Sequence, residues 1–286
     1  MGRTPARGQA ARWCVGRRST ALAVVACAVA IVGVLVLGDA TPGRAADDIR
    51  TIPTRAGVTQ AFLLVRPSGA PVATVVLFAG GNGLLGLGSG KMGLGGNFLV
   101  RNRGRFAGQG MLVAVVDTPS DHPGGLDGFR TSAAHAEDIR AVIAAMRQEA
   151  PVPVWLIGTS MGTVSAANAA ARLTSGGPDG LVLTSSVTRV GRQRNETVGD
   201  VHLDEIRVPT LVVHHKNDAC TATPYADTPS LMRDLTHAPK RELLAFDGGS
   251  PPQSGPCEAF AAHGYLGLDA EVVGAIVSWI KATPRP

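Results

Sequence analysis

Gly158-Thr159-Ser160-Met161-Gly162 is the only G-x-S-x-G segment in the chain. A serine hydroxyl is a weak nucleophile, and it attacks a carbonyl carbon only when a base accepts its proton and an acid holds that base in place. Two later positions supply those types: Asp218, in His215-Lys216-Asn217-Asp218, and His263, in Ala262-His263-Gly264-Tyr265. Asp247 is a second candidate for the acid. His214 and His215 beside Asp218 invite a metal reading, but neighbours on a strand face opposite sides, so only one can join Asp218 and no metal ion is expected. Gly86, Gly88 and Gly90-Lys91 invite a phosphate loop. It fails on spacing, because Leu85 stands where the first glycine belongs and Met92 where Ser or Thr should follow the lysine, so no nucleotide cofactor is expected. Asp117 and His122 read as turn or pocket-rim residues.

The chemistry requires Ser160 to stand clear on a tight turn, and the flanking sequence supplies one. An apolar run over residues 152–157 leads into the motif and an alanine-rich stretch over 163–171 leads out of it, which is a strand, a sharp turn and a helix. A hydroxyl so placed lies at the N-terminal end of a helix, where the dipole favours developing negative charge. Further β-branched apolar runs occupy residues 74–78, 112–116, 181–184, 210–213 and 242–246. Their hydrophobicity is continuous, as in strands covered on both faces, and helical spacing recurs over 133–148, 161–172 and 269–279. Strands alternating with helices predict an α/β fold with a mainly parallel sheet, to which residues 61–65 add an antiparallel edge strand. The glycine-rich stretch 80–96 reads as a long flexible loop.

With Ser160, Asp218 and His263 in that chain order, residues 60–283 resemble the α/β-hydrolases, in particular their esterase-like and dienelactone-hydrolase-like members. The elbow around Ser160, the stretch from Pro209 to Asp218 and the His-Gly-Tyr segment carry the resemblance. It implies the α/β-hydrolase fold, a mainly parallel central sheet with helices on both faces. It implies Ser160 as nucleophile, His263 as general base and then acid, and Asp218 to orient the imidazole, acting on a carboxylic ester or thioester through an acyl-enzyme without a cofactor. One oxyanion-hole amide would come from Met161 and another from the loop after residues 74–78, with Gly81 as first choice and Asn82 as second; Ala79-Gly80 stands where many relatives have His-Gly. Residues 187–208 are too few and too polar (Arg192 to Glu196) for a helical lid, so little or no lid is expected. An open, small pocket suits compact acyl substrates, with Leu84, Leu85, Leu87, Met92 and Leu94 either forming mobile apolar cover or lying in a surface loop.

Composition narrows the function classes. The 286 residues carry 27 Lys plus Arg against 22 Asp plus Glu, a net charge of +5. Residues 1–45 hold six of those basic residues and one acidic residue; removing six from 27 and one from 22 leaves 21 of each in residues 46–286. Balanced charge and 4% aromatic content argue against a nucleic-acid partner, and 45% hydrophobic against 17% charged residues against disorder. Arginines through Arg18, an uncharged run over 21–38 and the small residues around Ala45 have the order of an export signal, with cleavage after Ala45 or Ala40. The alternative is an N-terminal anchor attaching the protein to the membrane through residues 21–38. Either way residues 46–286 form one hydrolase domain outside the cytoplasm, periplasmic or secreted.

Cys220 and Cys257 are the two cysteines outside that leader, and in an oxidising compartment they would pair and tie the acid's loop to the base's loop; the alternative is two free thiols. The expected protein is an exported serine hydrolase acting on a small acyl substrate, with peptidase or acyltransferase variants of the same chemistry. The alternative is a non-catalytic cell-envelope binding protein that keeps the fold.

Overall fold

The computed structural model describes residues 48–89, 92–191 and 195–284. The leader or anchor expected over residues 1–45, the Gly90-Lys91 pair and Arg192 to Arg194 lie outside the described residues. Among the described residues no helix is long and apolar enough to cross a membrane.

Eight strands form one sheet: β1 (Asp48–Pro53), β2 (Thr59–Val65), β3 (Ala73–Phe78), β4 (Met111–Pro119), β5 (Val154–Thr159), β6 (Gly180–Thr184), β7 (Thr210–His215) and β8 (Arg241–Phe246), in the order β1-β2-β4-β3-β5-β6-β7-β8. The β1–β2 and β2–β4 pairings are antiparallel and all the others parallel. The five helices are α1 (Phe98–Gly108), α2 (Ala133–Glu149), α3 (Gly162–Arg172), α4 (Thr228–Asp234) and α5 (Asp269–Ala282). The six apolar runs and three helices expected from sequence are present; β1, α1 and α4 are additions, and β1 rather than β2 is the edge.

Side chains alternate across a strand, so each buried strand feeds two cores. Val76, Leu156, Leu183 and Val212 pack with Ile139 and Ile143 of α2, Ala166 and Ala170 of α3 and Leu231 of α4. Val75, Leu77, Ile157 and Val213 pack on the other face with Leu99 and Phe106 of α1 and Val273 and Ile276 of α5. After β3 the chain crosses through α1 to β4 on one side; after β4 it crosses through α2 to β5 on the other. The connections therefore diverge between β3 and β5, and a crevice opens at the carboxyl ends of those strands, the place where open α/β sheets bind ligands.

Candidate active site

Ser160 stands at that divergence, one residue past the end of β5 and two before α3. Its φ of 52° lies in the left-handed region, an uncommon conformation for a residue with a Cβ that costs of order 1–3 kcal/mol. The turn is held by the Ser160 N–H donating to the Thr184 carbonyl at the end of β6 (3.0 Å) and by the Thr163 hydroxyl donating to the Ser160 carbonyl (2.6 Å). Both motif glycines are required by space. A Cβ on Gly158 would lie 2.3 Å from the Gly162 carbonyl oxygen, and one on Gly162 would lie 2.1 Å from that of Phe78. A Cβ on Gly80, in the loop after β3, would lie 2.9 Å from that of Ser160.

His263 lies in a single 3₁₀ turn, Ala262–Gly264, between β8 and α5. Its Nδ1 is 2.9 Å from Asp218 Oδ2, in the loop after β7. A carboxylate only accepts, so Nδ1 carries a proton, which in the neutral imidazole leaves the lone pair on Nε2. The same carboxylate accepts from the Cys220 N–H at Oδ1 (2.9 Å) and from the Thr223 hydroxyl at Oδ2 (2.8 Å), with His214 Nε2 3.6 Å from Oδ2. Burial pushes the Asp218 pKa up, but the nearby His214 ring and the hydrogen bond from His263 outweigh it and hold the carboxyl well below the ordinary range. Ser160 and His263 line one cleft, while no hydrogen bond joins the two side chains among the described residues.

The competing assignments separate on geometry. Asp247 is exposed and paired with Lys216 Nζ at 2.6 Å, so Asp218 is the acid that faces the histidine. His214 lies beside Asp218 and donates to the Thr223 carbonyl (2.9 Å), whereas His215 faces the opposite way, with Nε2 3.2 Å from the Gly248 carbonyl. Asp117 is not a rim residue. It is buried, and its carboxylate accepts from the N–H groups of Leu85 (2.7 Å), Gly86 (3.2 Å) and Leu87 (2.8 Å), anchoring the glycine-rich stretch that was expected to be a flexible loop. Leu85 and Leu87 are accordingly buried in the core, and of the five apolar residues considered as cover only Leu94 lines the cleft. His122 is a turn residue stacked on Phe129.

The cleft encloses about 230 Å³ and is lined by Gly80, Gly81, Leu94, Phe98, Cys257 and Glu258 around Ser160 and His263. The N–H groups of Gly81 and Met161 have no acceptor among the described residues. Asn82 does not line the cleft; its side chain accepts from the Leu84 N–H (3.2 Å) and its carbonyl from the Leu126 N–H (2.9 Å). Cys220 and Cys257 form a disulfide with Cα atoms 4.5 Å apart, joining the Asp218 loop to the segment that leads into His263. Among the described residues no lid covers the opening. The stretch after Ser186 turns away, burying Val198, Leu203 and Ile206 in the core on the α3 side, and Glu196 is a buried carboxylate that accepts from Gly128 and Thr131 rather than part of a solvated loop.

Several supporting contacts carry no signal in the sequence. Thr223 bridges Asp218 and His263, its hydroxyl 3.1 Å from His263 Nδ1. Ser185 donates to the His263 carbonyl (2.8 Å), and Tyr265 donates to the Val213 carbonyl (2.9 Å). Arg101 ties Asp269 to the carbonyls of Gly96, Ala259 and Gly264, enclosing the histidine's loop. The four non-glycine residues with positive φ among the described residues are Leu94, Ser160, Ser185 and Tyr265, all in the cleft wall or directly behind it. Strain is concentrated at one place, as it is at functional sites.

No protein-family model matches the chain, and no curated protein matches it. Solved structures are similar to it. XC6422 from Xanthomonas campestris, an α/β serine hydrolase without lid, is 18% identical with a TM-score of 0.55 over 85% of this chain and 98% of its own. An esterase from an Arctic intertidal metagenomic library, described as cold-adapted, is 17% identical with a TM-score of 0.53 over 80% and 92%. The Pyrococcus furiosus esterase Pf2001 is 12% identical with a TM-score of 0.59 over 83% and 91%. The chain has the α/β-hydrolase fold.

Proposed function

We propose that this protein is a serine hydrolase that cleaves small carboxylic esters or thioesters through an acyl-enzyme. The observation that carries the reading is His263, held by an ionised Asp218 with its Nε2 lone pair free, in one cleft with a strained Ser160. The Ser160 hydroxyl attacks the acyl carbon as His263 Nε2 takes its proton, a contact that closes when substrate enters, as such contacts often do. The oxyanion forms against the open N–H groups of Gly81 and Met161. Collapse expels the alcohol or thiol, which receives the proton from His263; water then repeats the sequence and releases the acid. The volume of the cleft, about 230 Å³, lies below the usual range for drug-sized ligands and favours short acyl groups. Export rests on the composition of residues 1–45, with cleavage or a retained anchor over 21–38 as its two forms, and the Cys220–Cys257 disulfide fits an oxidising compartment.

A fluorophosphonate probe tests the reading. Labelling of the folded protein and hydrolysis of p-nitrophenyl acetate should both disappear in Ser160→Ala. A folded protein that takes no label would instead be the binding protein that keeps the fold.

A further inference from the structure

Behind the Gly80–Gly83 turn lies a charge with no part in the proposed chemistry. Arg130 is completely buried, and no carboxylate among the described residues lies within ion-pair distance of it. Burial lowers its pKa to about 10, with Glu196 and Asp127 opposing that shift, so it stays cationic at neutral pH. An unpaired buried charge is costly, and an apolar side chain of similar volume would commonly be more stable. What the guanidinium does hold is specific. Nη2 donates to the Gly81 carbonyl (2.9 Å) and Nη1 to the Ser165 hydroxyl (2.7 Å), while Nε has no partner.

Those two acceptors lie on the two segments that carry the open amides. Gly81 itself offers one, and Ser165 lies one helical turn after Met161, which offers the other. Residue 81 is pinned on both sides: the carbonyl before its amide accepts from the Gly83 N–H (3.2 Å), and its own carbonyl is held by Arg130. Space for the guanidinium is set aside too, since a Cβ on Gly83 would lie 2.8 Å from Arg130 Nη2. Arg130 is presented by a segment whose N–H groups at Gly128 and Thr131 are bound by the buried Glu196. We propose that Arg130 is a positioning residue that fixes the separation of the two oxyanion-hole amides by bracing the Gly81 loop against helix α3.

The inference rests on the hydrolase reading above, and the experiment separates the two. Kinetics of p-nitrophenyl acetate hydrolysis are measured on the full chain and on Arg130→Met, together with the affinity of a small trifluoromethyl ketone, which forms a tetrahedral adduct in the hole, and of acetate, which does not. Arg130→Met should lower kcat about 100-fold, the usual effect of a misplaced oxyanion donor, with KM unchanged, ketone affinity falling by the same factor and acetate affinity constant. Should Arg130→Met fail to fold, Ser165→Ala, which leaves the brace one-ended, should lower kcat and ketone affinity about fivefold in parallel at constant KM. An unchanged kcat, or a loss that appears in KM while ketone affinity holds, overturns the positioning role. Turnover that survives Ser160→Ala overturns the hydrolase reading and this one with it.

Discussion

His135, in the first turn of α2, is buried beside the ring of Phe129, with neither ring nitrogen hydrogen-bonded among the described residues. Burial pushes its pKa down to about 3, with the cationic Arg130 and Arg55 adding to the effect. Unfolded, the same ring titrates near 6.5. Between those values the unfolded chain binds a proton that the folded protein refuses. Stability therefore falls as pH drops below about 6.5 and stops falling near the folded value. Integrating from pH 7 to pH 5 gives a loss of about 2 kcal/mol, and any folded pKa below about 4 gives the same figure. Urea unfolding of the wild type and of His135→Leu, followed by tryptophan fluorescence at the two pH values, isolates this contribution. The stability difference between the two proteins should shift by about 2 kcal/mol in favour of the variant as pH falls from 7 to 5. A difference that stays constant would mean that the folded protein protonates His135 as readily as the unfolded chain does, and the argument from its burial would fail.

Further expectations concern the site directly. A Cβ on Gly264 would lie 2.0 Å from the Ala259 carbonyl oxygen, so Gly264→Ala should shift the histidine's turn and lower kcat for p-nitrophenyl acetate about 100-fold while circular dichroism shows the fold retained; near-wild-type turnover would count against the tight turn. The Cys220–Cys257 link closes a loop of 37 residues, for which the chain-entropy model gives about 4 kcal/mol, so the Cys220→Ser, Cys257→Ser double variant should lose about 2–4 kcal/mol in urea unfolding, together with turnover, because the Cys220 N–H binds Asp218. Glu258 is an exposed carboxylate at the cleft wall, and a cationic ester about 6 Å away would gain about 0.7 kcal/mol from it. Glu258→Gln should thus reduce the preference for a cationic over a neutral ester of equal size about threefold in kcat/KM at low salt, and an unchanged ratio would place that carboxylate outside the substrate's field.

The sheet and the strand-turn-helix that carries Ser160 were legible because each follows from a local pattern. Strands covered on both faces must be apolar throughout, and β3, β5, β6 and β7 are buried end to end. Strand β1 escaped notice because as an exposed edge it buries almost nothing and its sequence ends in Pro53. Helix α1 was hidden by Gly104, Gly108 and three arginines, residues that give it no simple apolar stripe, and α4 is only seven residues long. The supporting residues were illegible for a different reason. Arg101 is an ordinary surface-type residue until the chain brings carbonyls 158 and 163 positions away to its guanidinium, and Glu196 reads as loop polarity until residues 65 and 68 positions earlier donate to it. Asp117 was placed at the right strand end but given the wrong role, because a carboxylate that binds three successive amides looks, in sequence, like any turn residue.

The absence of a lid among the described residues bears on why these contacts are so many. Enzymes that close over a substrate assemble their catalytic groups during closure and use binding energy to do it. An open cleft has no such step, so its groups must be held before substrate arrives. Asp218 has both oxygens hydrogen-bonded, the His263 carbonyl is held by Ser185, the acid and base loops share a disulfide, and the Gly81 carbonyl is held by Arg130. In the proposed relay, the Ser160 to His263 contact is the one link that no hydrogen bond makes among the described residues. In the proposed mechanism, then, substrate binding has only the Ser160 side chain to align, and the strain at its φ of 52° is borne by the fold rather than drawn from the substrate.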